Sequence, residues 1–189
     1  MALDIDLLNK LLIAYGVNTT FWGKGNAKGV STLLKEIQEG ESFLKVSGNE
    51  LVRVCECVSM QIHDPRNPNK GYLIEVKQTY QGRSQARRIN PSEKIKFGET
   101  PEQALIRGMK EELSQTTEDF SFSFLRLDQE FRSSQSYPGL TCCYRIHRFD
   151  VALSGKSTVL RDSFSTVEDN GCELFFEWIA NNSGEPKIK

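Results

Sequence analysis

The stretch Gly98-Glu-Thr-Pro-Glu-Gln-Ala-Leu-Ile-Arg-Gly-Met-Lys-Glu-Glu112 decides how this chain is read. It runs from a loop into a helix. Thr100 is placed to cap that helix, Pro101 to open it, and Gln103 to complete a Thr-x-x-Gln capping box. At about 100° per residue, Ala104, Leu105, Gly108 and Met109 form one face, and Glu112 lands in the middle of it. Burying a lone carboxylate costs several kcal/mol or more, so a carboxylate aimed at an apolar arc is expected to be paired or metal-bound. Glu111 lies one step round the helix, and Arg107 precedes it by one turn. The helix reads as the carrier of a site.

Working outward, the preceding segment Ile89-Asn-Pro91-Ser-Glu-Lys94-Ile-Lys-Phe-Gly98-Glu99 reads as a short strand and loop. The two stretches together resemble the Nudix box, G-x(5)-E-x(7)-R-E-U-x-E-E-x-G-U, where U is a bulky aliphatic residue. Glu99 takes the first Glu of the pattern, Arg107 the Arg, Met109 the aliphatic position, and Glu111 and Glu112 the closing acidic pair. The upstream residues align around Pro91 with the family's usual L-P-G-G-K-V-E-P-G-E, and the clear match covers residues 89 to 114. The resemblance implies an α/β fold, a Nudix-like α/β/α sandwich around a mixed sheet, here with an N-terminal helical extension. It also implies hydrolysis of a diphosphate linked to another moiety, with Mg2+ or Mn2+ held by the glutamates. In that scheme Glu111 and Glu112 supply ligands. Glu99 pairs with Arg107, a structural and electrostatic role that fixes the Gly98 loop on the helix.

The departures strike at the chemistry. Where the family has a Glu directly after Arg, a metal ligand or general base, this chain has Gly108. Where the box opens with Gly, it has Glu93, and where it closes with Gly and an aliphatic residue, it has Ser114 and Gln115. Glycine inside a helix costs about 1 kcal/mol relative to Ala, so a merely decayed position would more simply hold Ala or Gln. Gly108 is either such a relic or a residue that makes room for another group. Glu93 is the candidate for that group. The expected metal set is Glu93, Glu99, Glu111 and Glu112, with Glu111, Glu112 and Glu93 as catalytic candidates. Carboxylate oxygens suit magnesium and manganese. The alternative makes Glu93 a surface residue paired with Lys94 or Lys96. A base could come from Glu93, Asp128 or Glu130.

Arg83, Arg87 and Arg88 precede the motif, and Lys94 lies within it. Guanidinium groups grip phosphate oxygens bidentately, so Arg87 or Arg88, with Lys94, are the candidate phosphate-binding residues. A solvated edge strand protected by charge is the competing reading. His63 and His147 have no partner at motif spacing and are expected to be non-catalytic. Tyr137 could stack on a base, although Pro138-Gly139 argues first for a turn.

The 189 residues fit one domain with an extension, and 24 basic against 25 acidic residues leave a net charge of −1. No global field marks a nucleic-acid or membrane binder, so the expected partner is a small nucleotide or pyrophosphate ligand. The acidic start and the absence of a long apolar run point to a cytoplasmic protein. Five cysteines without metal or redox spacing read as reduced thiols, mostly small core residues.

Along the chain, helices are expected over residues 4 to 14 and from Val30 to near Gly40. The basic glycine-rich loop between them, Trp22 to Gly29, reads as a connector rather than a phosphate loop. From residue 50 the period becomes two, with Val52, Val54, Val58, Met60 and Ile62 on one side, and further strands follow at Tyr72 and after Gly82. Phe120, Phe122 and Phe124 alternate. Ile146 and Phe149 fall on opposite phases, implying a bulge near His147 and Arg148. Leu174, Phe176 and Trp178 mark a last strand. Between Ser154 and Gly171 the pattern is weak, and family analogy would place a helix there. The expected organisation is an extension over 1–45, a Nudix-like domain over 46–182 and a flexible tail over 183–189. Two functions follow. One is the binding of a divalent metal and a nucleoside diphosphate-type or other pyrophosphate compound, making the chain a metal-dependent pyrophosphohydrolase if the site is active. The other is a catalytically silent module that binds a nucleotide ligand or a protein.

Overall fold

The computed structural model describes residues 3–80, 82–155, 157, 159, 163–167 and 171–180. The tail expected over 183–189 lies outside these residues. In chain order the elements are α1 (Ile5–Ala14), α2 (Val30–Gln38), β1 (Phe43–Ser47), β2 (Glu50–His63), β3 (Tyr72–Tyr80), β4 (Arg83–Ile89) and β5 (Ser92–Lys94). Then come α3 (Pro101–Leu113), β6 (Phe120–Ser133), β7 (Thr141–Leu153), β8 (Ser163–Val167) and β9 (Glu173–Ile179). The strands form one nine-stranded sheet of order β6-β7-β2-β3-β9-β8, with β1 and β5 pairing β2 and β4 pairing β3. Three helices and this sheet make an α/β protein, consistent with the expected α/β/α sandwich. Among the described residues, no helix is long and apolar enough to cross a membrane.

The chain divides into two compact units. The first comprises Met1–Cys57, Lys94–Glu99 and Leu127–Ile146. Asp4 opens α1 by accepting a hydrogen bond from the Leu7 N–H at 2.8 Å, satisfying one orphan donor of the first turn. Leu8 and Leu12 of α1 and Leu33 of α2 bury into one core with Trp22, Leu51, Tyr137 and Leu140. Trp22 keeps its indole N–H satisfied by donating to the Pro138 carbonyl at 2.8 Å. Strand β1 was not among the expected strands. Its residues are almost all exposed, so it carries no burial period, and it is held by antiparallel pairing from Phe43↔Val54 to Ser47↔Glu50.

The second unit comprises Val58–Glu93, Thr100–Arg126 and His147–Lys189. Here β3 pairs antiparallel with β4 on one side and β9 on the other, and both ladders shift register between Glu75 and Lys77. The expected phase change along β7 is present in its burial: Ile146 is buried, and then Phe149, Val151 and Leu153. The helix that family analogy placed between Ser154 and Gly171 is corrected over its described part. Residues Ser163–Val167 form β8, antiparallel to β9, because Phe164 faces inward and stacks on Phe176 at 5.2 Å.

Candidate functional site

The helix that carries the motif forms where the capping residues place it. The Thr100 hydroxyl accepts from the Gln103 N–H at 3.2 Å, and the Gln103 side-chain oxygen accepts from the Thr100 N–H at 2.8 Å. Pro101 takes the first turn, where no N–H is needed. The buried face is Ala104, Leu105, Gly108, Met109, Glu112 and Leu113, as the spacing requires. Glu112 is only 4% exposed, so a carboxylate does enter the apolar arc. The helix stops at Ser114, whose φ of 55° lies in the left-handed region that favours glycine. Ser114 holds this conformation without being a glycine. Gln115 follows, buried, donating to the Leu113 carbonyl at 2.8 Å and accepting from the Ser157 hydroxyl at 2.6 Å.

The two substituted positions of the motif meet. A Cβ placed on Gly108 would lie 2.9 Å from Glu93 Cβ and 3.3 Å from its Cγ. Real Cβ atoms do not approach so closely, so the bare backbone at 108 accommodates the β5 side chain. The Glu93 carboxylate then reaches Arg107, with Oε1 3.0 Å from Nη1. The same guanidinium nitrogen lies 3.2 Å from Glu111 Oε2, one helical turn on. Arg107 and Glu93 side chains are 18% and 17% exposed, whereas Glu111 is 52% exposed. The relationship is therefore reciprocal: a carboxylate is lost from the helix, and one is gained on the facing strand.

Glu99 lies in the preceding loop. Its Oε2 accepts from the Lys96 N–H at 3.0 Å, and its own N–H donates to the Lys96 carbonyl at 3.0 Å. Gly98, between them, takes a φ of 82° that a side chain would resist. Among the described residues, no group of three or more His, Cys, Asp or Glu side chains is placed to hold a metal ion. Magnesium demands near-octahedral oxygen ligation, and this donor set does not fit it as arranged, because the Glu93 carboxylate is turned onto Arg107.

The candidate phosphate-binding residues are differently placed. Arg87 donates to Glu75 Oε1 at 2.8 Å and to Gln78 Oε1 at 2.7 Å, across the β3–β4 ladder. Lys94 lies 2.5 Å from Glu41 Oε2 and 3.5 Å from Glu36 Oε1. Both cations are committed to internal ion pairs, while Arg88 is exposed. Tyr137 is fully buried, its ring 5.0 Å from that of Trp22 and 5.1 Å from the Arg53 guanidinium, so it belongs to the core and not to a stacking surface. His63 gains a partner that spacing did not reveal, Asp150 at 3.1 Å. Asp128 and Glu130 stand on β6.

Among the described residues, one buried electrostatic cluster has little signal in the sequence. In the first unit, Glu36 of α2 is 4% exposed and faces Arg53 at 2.5 Å, Lys28 at 2.6 Å and Lys94 at 3.5 Å. Burial works to raise its carboxyl, but Lys94, Arg53 and Lys28 outweigh it and hold the group down at about 2. Arg53 Nη1 also lies 3.4 Å from Cys142 Sγ. Hydrogen bonding from Cys55 and Arg53 lowers the Cys142 thiol against its burial, and the same contact, with burial, raises Cys55. All five cysteines are free thiols, as expected. Lys28, one of the two lysines of the glycine-rich loop, is thereby an internal partner of Glu36. The only sequence signal was Arg53 sitting between Val52 and Val54 in an otherwise apolar run.

No protein-family model matches this sequence. No curated protein matches it. Among solved structures the chain is similar to DR0079 from Deinococcus radiodurans, at 14% identity and a TM-score of 0.42 over 71% of this chain and 76% of that one. It is also similar to a C. elegans Ap4A hydrolase, at 16% identity and a TM-score of 0.35 over 64% of this chain and 79% of that one.

Proposed function

We propose that this chain is a Nudix-like module that does not catalyse metal-dependent turnover and serves to bind a nucleotide-type ligand or a protein partner. One observation carries the reading: Glu93 fills the space above Gly108 and its carboxylate is ion-paired with Arg107. A glutamate in the helix at 108 is the ligand or base of the resembled family, and its replacement on β5 is neutralised by a guanidinium. A charge already matched at 3.0 Å has less to gain from a cation.

A second reading keeps a divalent ion, Mg2+ or Mn2+, with Glu93, Glu111 and Glu112 as ligands and a pyrophosphate compound as substrate. The position of Glu112, buried on the same face of α3 as Gly108, favours it. Here Arg107 would have to release Glu93 when the anionic substrate arrives.

The experiment measures phosphate release from nucleotide sugars, dinucleotides and nucleoside triphosphates with magnesium or manganese. The native chain is run beside the double variant Glu93→Gly, Gly108→Glu. The single change Gly108→Glu is uninformative alone, because Glu93 occupies the space the new side chain needs. No release by the native chain, together with manganese binding gained by the double variant, supports the first reading. Metal-dependent release by the native chain establishes the second and removes the first.

A further inference from the structure

Within the first compact unit, two cysteines meet that no sequence spacing joins. Cys55 stands on β2 and Cys142 on β7, strands that neighbour each other in the sheet. Their sulfurs share a hydrogen bond, and the two residues are buried, at 3% and 0% exposure. Successive side chains along a strand point to opposite faces, which is why Cys142 and not its neighbour takes this place. Cys143 lies instead with Val52 and Val54 in a separate apolar cluster. Around Cys142 stand Arg53, with Nη1 3.4 Å from Sγ, and Tyr144 and Ser134, each hydrogen-bonded to the sulfur. A cation and hydrogen-bond donors beside a sulfur favour the thiolate, which is the form that reacts. They prevail over burial at Cys142, whereas Cys55 keeps its proton.

The geometry points to Cys55 and Cys142 as an oxidisable pair, a dithiol that hydrogen peroxide converts to a disulfide joining β2 and β7. The Cys142 sulfur attacks one peroxide oxygen, and the O–O bond breaks. The second oxygen leaves with the thiol proton as water, and Cys142 becomes a sulfenic acid. The Cys55 sulfur then attacks the Cys142 sulfur, the S–O bond breaks, and hydroxide departs with the Cys55 proton as a second water. The two thiols lose two electrons in all, and one peroxide is reduced to two waters. Burial chooses the oxidant. Cys57, on the same side of β2 as Cys55, is half-buried, so the pair lies one side chain below the surface. Hydrogen peroxide, with two heavy atoms, passes where a peptide disulfide is too large. The S–S bond carries no thiolate, so Arg53 loses one of its partners on oxidation. This chemistry is independent of that at α3.

The test treats the full chain with hydrogen peroxide, alkylates the remaining thiols in denaturant and maps the peptides by mass. Cys55 and Cys142 are expected in one linked peptide pair, lighter by two hydrogens, leaving three of the five thiols alkylatable. In urea the fold no longer holds the two sulfurs together, and the specific bridge is expected to give way to mixed pairings. Cys55→Ala removes the second thiol, and Cys142 is then expected to stop at the sulfenic acid, which dimedone captures. Cys57→Ala is expected to leave the bridge unchanged. Five alkylatable thiols in the treated native chain, a bridge through Cys57 or Cys143, or an equal yield of the Cys55–Cys142 bridge in urea would overturn the proposal.

Discussion

Two charged clusters in this molecule use similar residues in different environments. Around Arg107 the partners differ in exposure: Glu93 is 17% exposed and Glu111 52%. Around Glu36 the central pair is dry, Arg53 and Glu36 side chains being 5% and 6% exposed, while Lys28 and Lys94 reach in from more open positions. Coulomb attraction at a given distance grows as the surrounding dielectric falls, and so does the cost of leaving one partner alone. The first cluster is therefore held less tightly by its surroundings. The second is a structural tie between a helix and a strand.

The largest test of this contrast is Glu36→Ala, which strands Arg53 in the core. Removing one member of a buried pair costs about 3–5 kcal/mol, to be read as a lower urea midpoint at an unchanged slope. The same cluster has a pH signature. A carboxyl at about 2 in the folded chain, against 4.5 in the unfolded one, contributes stability that is fully present above pH 4.5. That contribution, about 3 kcal/mol, is lost as pH falls through the folded value. Urea unfolding at a series of pH values should show the loss, and Glu36→Gln should flatten that part of the curve. If the native curve is already flat there, the three cations do not hold Glu36 as described.

At the open cluster the expected effects are smaller. Gly108→Ala gains helix propensity but drives its methyl into Glu93. Overpacking should prevail, with a net loss of about 1–2 kcal/mol. In the background Glu93→Gly the same change should become stabilising. Equal effects in both backgrounds would show that the two positions do not share one space. The smallest effect is at the helix end. Ser114→Gly relieves a left-handed φ and should add about 1 kcal/mol in thermal or urea unfolding. A loss instead would mean that the serine side chain contributes something the backbone angle does not reveal.

What was legible in the sequence was what depends on near neighbours. Thr100, Pro101 and Gln103 mark the start of α3 because capping acts within one helical turn. Glu112 could be assigned to the buried face because helical period carries over thirteen residues without error enough to matter. The exchange of Glu93 and Gly108 was recognisable as a pair of departures, since both fall inside one motif. The β1 strand left no burial period, because its side chains are exposed and its pairing is through the backbone. The full length of β6 was hidden for the same reason: seven successive exposed residues show no alternation to read.

The sequence by itself determined where α3 begins, which face it buries, and that a carboxylate would lie on that face, because these follow from local geometry and from the exclusion of water. Only the tertiary structure decided which charge meets which. Glu36 finds Arg53 and Lys94 across 17 and 58 positions of chain, and Arg107 turns its guanidinium to Glu93. Partner choice depends on distances between segments far apart along the backbone, and electrostatic strength on how much water remains around them. Neither quantity is carried by residue spacing.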